Sequence, residues 1–150
     1  MNRKELNFKR KKICIVGDIL LDQYIIGSSN RLSPESPVPV IDVKNKSFNL
    51  GGAGNVALNI KTLDSEPYLF GAIGNDEDGK QILTQLKINK IKTSNIIKSN
   101  KIKTIKKTRV ISNGYQIVRY DEEEKLNFDN KIFKDFKNNI NQKIKYFDII

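Results

Sequence analysis

The chain has 150 residues, 38% of them hydrophobic and 29% charged, which fits one soluble globular domain and excludes disordered and membranous classes. A net charge of +10 suits phosphorylated ligands, but the lysines scatter among Asn and Ile without interleaved aromatics, which marks compositional bias rather than a nucleic-acid binder. With no histidine, Ser-His-Asp and Cys-His catalysis and the common zinc sets are excluded, so any chemistry rests on carboxylates, lysines, backbone amides or a metal held by oxygen.

Residues 1–11 read as a basic, disordered leader. The apolar run Ile13-Cys14-Ile15-Val16 after it is cut at Gly17-Asp18, too early for a signal peptide, and no run approaches the ~20 residues of a membrane span. Lys12 to Val16 is a strand buried on both faces, with Asp22 expected near its carboxyl end. Cys14 is a buried strand residue. A single cysteine permits no disulfide framework, which fits a reducing cytoplasm.

Residues 31–39 hold three of the four prolines, so this segment is extended and suited to a sheet edge or a lid. Val38, Val40 and Val43 suggest an edge strand. Gly51-Gly52-Ala53-Gly54 reads as a tight turn opening into a helix over about 55–63, with Val56, Ala57, Ile60 and Leu63 on one face. Such a helix start presents N–H donors and a positive dipole end to a polar ligand, and Asn55 adds a side chain that both donates and accepts. The structural alternative is a turn that merely packs the helix against a sheet.

Tyr68 to Ile73 is a second apolar strand. The turn 74–79 carries acids suited to the N-terminus of a helix bearing Ile82, Leu83 and Leu86, and lacks the spacing of a calcium loop. Ile102 to Ile111 and Gln116 to Tyr120 read as hairpin strands joined through Ser112-Asn113-Gly114. Lys101, Lys103, Lys106 and Lys107, the densest basic patch, fall in the first of them. Phe128, Ile132, Phe133, Phe136, Ile140 and Ile144 trace an amphipathic helix, and Tyr146 to Ile150 reopens a strand. Alternating strands and helices imply a parallel, doubly wound sheet with helices on both faces.

Three segments carry a family resemblance. Ile15-Val16-Gly17-Asp18-Ile19-Leu20-Leu21-Asp22 resembles the first strand and turn of the ribokinase-like (PfkB) carbohydrate kinases, and Gly51-Gly52-Ala53-Gly54-Asn55-Val56-Ala57 is similar to that family's N-terminal signature. Asp64 stands where Gly or Ser usually follows the helix. Within the family, Arg31-Leu32-Ser33-Pro34-Glu35-Ser36-Pro37-Val38-Pro39-Val40 resembles the lid of heptose-7-phosphate kinases, as do Thr108-Arg109-Val110-Ile111-Ser112 and Gln116-Ile117-Val118-Arg119-Tyr120-Asp121. Asn113-Gly114-Tyr115 departs from their usual Arg-Asn-Gln.

The resemblance implies a ribokinase-like α/β fold with a small β-strand lid over about 22–43 and 100–121. Residues 12–150 would be the N-terminal half of a kinase domain truncated near its middle. It implies ATP- and Mg²⁺-dependent phosphorylation of heptose 7-phosphate at the anomeric hydroxyl, for ADP-heptose and lipopolysaccharide core synthesis. Asp22, Gly51, Gly52, Asn55, Arg109, Gln116 and Arg119 would bind the sugar phosphate, with Ser33, Pro34, Glu35 and Val38 in the lid. Asp22 has the alternative of capping a turn, and Arg119 of pairing with an acid in its hairpin. The catalytic base, an Asp in a Gly-Ala-Gly-Asp motif, would lie beyond Ile150, so the chain alone is expected to be inactive. It would be a fragment, a remnant or one half of a split enzyme. Expected partners are a second copy through the lid and a chain carrying the other half, with no nucleic acid, no membrane and no metal held by these residues.

Overall fold

A computed structural model describes residues 9–124 and 130–150, with side chains in the last helix from Phe133 onward. Strand β1 (Lys12–Val16) buries Ile13, Cys14 and Ile15, as a continuous apolar run in a parallel sheet must. It pairs in parallel with β4 (Glu66–Gly74), which pairs in parallel with β5 (Ile96–Ser99). Helices α1 (Ala53–Thr62) and α2 (Glu77–Ile88) cover the face of β4 that carries Leu69 and Ile73, and Ala57, Ile82 and Leu86 complete that core. The opposite face of β4 carries Tyr68 and Phe70, which meet the Phe147 ring at 5.1 and 5.8 Å between centroids. On this side α3 (Asn130–Lys143) and the 3₁₀ turn Ile144–Tyr146 lead into Phe147, and Phe136 of α3 lines a small depression with Ala72 of β4.

A second sheet rises from the first. Its order is β3-β2-β6-β7, built from β2 (Ile19–Ser28), β3 (Asp42–Gly52), β6 (Ile105–Ser112) and β7 (Tyr115–Glu122). Only β2 and β6 are parallel; the other two pairings are antiparallel. Ile19 and Leu21 of β2 and Leu50 of β3 are buried in the common core, so this sheet is anchored by its root. Asn113 and Gly114, at φ 50 and 84, close the β6–β7 hairpin with both central residues left-handed, as an Asn-Gly turn requires. Asp64, just past α1, is left-handed at φ 59, which explains why a residue tolerant of that region follows this helix.

Several expectations are corrected. Asp22 does not end the first strand; it lies within β2, a ten-residue strand of its own. Gly51 and Gly52 end β3 instead of forming a loop, and α1 starts at Ala53. The lid strands run beyond 22–43, because β3 continues to Gly52. Residues 101–104 precede β6, so only Lys106 and Lys107 of the basic patch share a strand, on opposite faces. Val38 and Val40 lie outside β3, although Leu32 and Pro39 form one antiparallel bridge. The last strand is a single parallel bridge of Ile149 to Ile13, with Cys14 N–H donating to the Ile149 carbonyl at 2.9 Å. Of the leader, Arg10 donates its N–H to the Asp64 carbonyl at 2.8 Å; residues 1–8, Phe128 and the Ile132 side chain lie outside the described residues.

Asp76 ties the two sheets together. Its carboxylate caps α2 by accepting from Gly79 N–H at 2.8 Å. It also accepts from the Thr104 N–H at 2.9 Å and hydroxyl at 2.7 Å, on the approach to β6. The Thr104 hydroxyl oxygen in turn accepts from Gly74 N–H at 2.9 Å. Burial opposes ionisation of Asp76, but the donated hydrogen bonds, those of Thr104 foremost, outweigh it and hold the carboxyl below its ordinary value of 3.8. A lowered native pKa means that the stabilisation is complete above that value and is lost as pH falls through the native one. Replacing Asp76 by Ala should cost about 1–2 kcal/mol in urea unfolding followed by circular dichroism at neutral pH. The difference should shrink as pH drops below about 4.

Candidate functional site

Directly paired residues in a sheet share a face. On one face of the second sheet the register sets Asn49, Asp22, Lys107 and Asp121 in one row, and Ser47, Tyr24, Arg109 and Arg119 in the next. The other face carries Leu21, Thr108 and Lys106 toward α2, where Lys106 bridges Asp78 at 3.0 Å and Glu122 at 2.8 Å. Along β2, Ile19 and Leu21 thus face the core while Asp22 and Tyr24 face the opposite way.

The polar face is a network of ion pairs. Arg109 Nη1 donates to Asp22 Oδ1 at 2.5 Å, with both side chains about four-fifths covered. The same guanidinium lies over the Tyr24 ring, 5.4 Å from its centroid. Arg119 makes a forked pair with Asp121, at 2.9 Å through Nε and 2.7 Å through a terminal nitrogen. Lys107 reaches Asp121 at 3.0 Å and Glu123 at 3.5 Å. Arg119 and then Lys107, by hydrogen bonding to the charged form, hold the Asp121 carboxyl far below the usual carboxylate range.

Two glycines make room for this arrangement. A Cβ on Gly51 would strike the Leu20 side chain and come within 2.5 Å of Asp22 Oδ2. Gly51 is therefore the floor on which the Asp22 carboxylate lies. Gly52 has φ 53, and a Cβ there would strike the Asp18 carbonyl. That carbonyl accepts the first N–H of α1, from Ala53, at 2.9 Å. Gly52 offers no side chain as a cap, so the next N–H groups of the helix have no side-chain acceptor. They open beside the carboxyl end of β1, where the order Ile149-β1-β4-β5 reverses direction. Open α/β sheets bind ligands at that point. A shallow depression of about 680 Å³ runs along β1 from Ile13 past Ile149 and Ile150 to Gly52, Ala53 and Val56.

The fold fits one group of known proteins. The profile of the pfkB family carbohydrate kinase matches residues 10–150. The chain belongs to the pfkB carbohydrate kinase family. It is 44% identical over 138 residues to "Bifunctional protein HldE" of Helicobacter pylori (strain G27), covering 92% of this chain and 30% of that protein. With the protein of the same name from Aliarcobacter butzleri it shares 39% over 142 residues, covering 95% and 30%. The chain thus spans under a third of the length of these relatives. In backbone it resembles a carbohydrate kinase from Agrobacterium tumefaciens (TM-score 0.61, 17% identity, 75% of this chain and 35% of that one). It also resembles a nucleoside kinase from Methanocaldococcus jannaschii (TM-score 0.57, 24% identity, 75% and 37%).

Of the residues singled out in sequence, Asp22, Gly51, Arg109 and Arg119 share the polar face, and Gly52 stands at its root. Gln116 pairs with Ile111 beyond a bulge, farther along the sheet. Asn55 is exposed on α1. Asp22 caps no turn, whereas Arg119 does pair with an acid of its own hairpin. Ser33, Pro34, Glu35 and Val38 are not beside the glycines. Gly51 pairs with Leu20 at the root and Asp42 with Ser28 at the far end of the β2–β3 ladder, about 26 Å away along the strand. Tyr24, Asn49, Lys107 and Asp121 were missed as site residues. Period-two counting reaches each of them: Tyr24 from Asp22, Asn49 from Gly51, Lys107 from Arg109 and Asp121 from Arg119. Gly51→Ala should displace the Asp22 carboxylate and cost about 1–3 kcal/mol of stability in urea unfolding, through overpacking against Leu20.

Proposed function

We propose that the protein to which this chain belongs transfers a phosphoryl group from ATP to the anomeric hydroxyl of D-glycero-D-manno-heptose 7-phosphate, in the cytoplasm, on the way to ADP-heptose and lipopolysaccharide core. The chain supplies the sugar side of that reaction. The observation that carries the reading is the Asp22 carboxylate, held by Arg109 and laid on Gly51 at the root of the lid sheet. A carboxylate accepts hydrogen bonds from two vicinal hydroxyls, and fixing it in advance removes the cost of ordering it on binding. Gly51 and Gly52 let the sugar approach the backbone, Asn55, exposed in the first turn of α1, adds a hydrogen-bonding side chain, and Arg109, Gln116 and Arg119 serve the phosphate and outer hydroxyls. The proline-bearing tip, with Ser33, Pro34, Glu35 and Val38, closes over the ligand or meets a second copy.

Phosphoryl transfer also needs a base on the attacking hydroxyl and donors for the moving phosphoryl group. The sequence contains no Gly-Ala-Gly-Asp motif to supply the family's base. Among the described residues no group of three or more Cys, Asp or Glu side chains converges on one point. We assign ATP, Mg²⁺ and the base to polypeptide that completes the domain, whether in the same chain or another. The exposed apolar residues Val16, Val56 and Ile150 around the depression beside β1 suit that contact. Tyr115, Ile117, Val118 and Tyr120, exposed on the edge strand β7, suit a homodimer through the lid. No helix among the described residues is long and apolar enough to cross a membrane.

A second reading, a pfkB-type kinase for another sugar or a nucleoside, is favoured by backbone likeness alone, since fructokinase from Xylella fastidiosa is also similar (TM-score 0.54). Calorimetric titration with heptose 7-phosphate, fructose 6-phosphate, ribose and adenosine separates the two. Heptose 7-phosphate should bind, and Asp22→Asn should weaken it about tenfold or more. Preference for another sugar would move the assignment to that substrate. In a coupled ATPase assay the 150-residue chain should not turn over heptose 7-phosphate; a rate of roughly 1–100 per second would overturn the division of labour.

A further inference from the structure

In the row of the polar face that holds Asp22, the charged groups satisfy one another. From the next row Arg109 donates to Asp22 Oδ1 and Arg119 to Asp121, which Lys107 also reaches. Two polar functions of the row are left over. One is Asp22 Oδ2, which accepts from no group among the described residues. It is not sealed off either, since the buried side-chain oxygen that lacks a partner among those residues is Ser112 Oγ. The other is Asn49, exposed on β3, whose carboxamide makes no hydrogen bond among the described residues. The register makes Asn49 the direct partner of Asp22, and side chains paired in this way have Cβ atoms about 5 Å apart. Oδ2 leans from β2 toward β3, since it is the oxygen that a Cβ on Gly51 would approach. Along this face of β3 the neighbours of Asn49 are Ser47 and Gly51, both too small to screen it, and β3 is an edge of the sheet. Asparagine has low strand preference, so the ladder itself does not call for it here.

We propose that Asn49 is a specificity-determining residue: its carboxamide and Asp22 Oδ2 each take one of two neighbouring hydroxyls of the sugar. This rests on the sugar-phosphate reading of the same site, and it adds that the uncharged polyol end of the ligand lies at the β2–β3 edge. The donors and acceptors match. A hydroxyl both donates and accepts, a carboxylate oxygen only accepts, and a carboxamide does both. One hydroxyl therefore donates to Oδ2, and the next accepts from Asn49 Nδ2 or donates to its Oδ1. A phosphate is a poor guest for this pair, because Oδ2 repels it and the amide carries no charge to offset that. An epimer that turns one of the two hydroxyls away loses one hydrogen bond, so the pair reads the relative configuration of adjacent carbons.

The test is calorimetric titration of the full 150-residue chain with heptose 7-phosphate, with its series of monodeoxy analogues and with fructose 6-phosphate. Asn49→Val exchanges the amide for a strand-favouring side chain, and a thermal melt should show stability kept or raised. It should nevertheless weaken heptose 7-phosphate about fivefold, and Asn49→Ala should act alike. One monodeoxy analogue lacks the hydroxyl that Asn49 holds, so Asn49→Val should cost it less than about twofold while the others still lose about fivefold. The analogue least affected by Asp22→Asn should lack the hydroxyl on the adjacent carbon. Asn49→Asp sets two carboxylates opposite each other and should weaken binding more than Asn49→Val does. Unchanged affinity in Asn49→Val, or the same loss for every analogue, overturns the pair and leaves the sugar reading standing. Asn49-dependent binding of fructose 6-phosphate in place of heptose 7-phosphate supports the pair and moves the substrate. A wild-type chain that binds no sugar phosphate removes the sugar reading and the pair with it.

Discussion

Everything in this molecule hangs on the two faces of β2. Ile19 and Leu21 are fully buried and bind the second sheet to the core of the first. Between and beyond them Leu20, Asp22 and Tyr24 face the other way and found the polar surface. A one-residue slip of β2 would send Asp22 into the core and Leu21 into solvent, so the hydrophobic core itself sets the register of the site. Burial of uncharged residues at the root is the force that aims the charged ones above it.

The parallel sheet was legible because its strands are continuous apolar runs and its helices start and stop with recognisable residues. Asp76 at the head of α2 and Asn113-Gly114 in the hairpin act through local geometry that a sequence reader can name. Strand β3 was legible only at its start, where Val43 suggested an edge strand. After Val43, residues Lys44-Asn45-Lys46-Ser47 have low strand preference, and the next signal of a sheet is Phe48 and Leu50 two apart. What makes it a strand is β2 alongside, a tertiary influence that overrides local preference. The glycine pair misled for a related reason. Its composition suits a loop, yet Gly51 is small because two side chains of the neighbouring strand cross it, which only the register reveals.

The site was half legible. Asp22, Gly51, Arg109 and Arg119 were identifiable by residue type and by likeness to a family, but not their grouping. Their neighbours Lys107 and Tyr24 look unremarkable in a chain with 27 basic residues. Excess positive charge conceals this grouping, since Lys107 differs from most lysines only in facing an acid across a strand. The same geometry dissolves the basic patch at 101–107, where Lys106 is spent on Asp78 and Glu122 beneath the sheet and Lys107 on Asp121 above it.

The distance between the glycines and the proline-rich tip has a local cause. β2 shifts register between Ile26 and Gly27, and β6 does so between Val110 and Ile111 against β7. Ile26 and Ile111 are themselves paired, so both irregularities fall at one level of the sheet. Bulges bend a strand and sharpen its twist. At this level Gly27 packs so closely that a Cβ would strike the Asp42 carbonyl, and Asn113 donates its N–H to the Gly27 carbonyl at 3.3 Å, binding both hairpin ends into one tip. The flat, regular part of the lid below the bulges carries every ion pair of the polar face. The part above carries the prolines, which cannot join a ladder. The register shifts at Gly27 therefore divide the sheet into an inner part, whose regular ladder aims Asp22, and an outer part that carries the prolines.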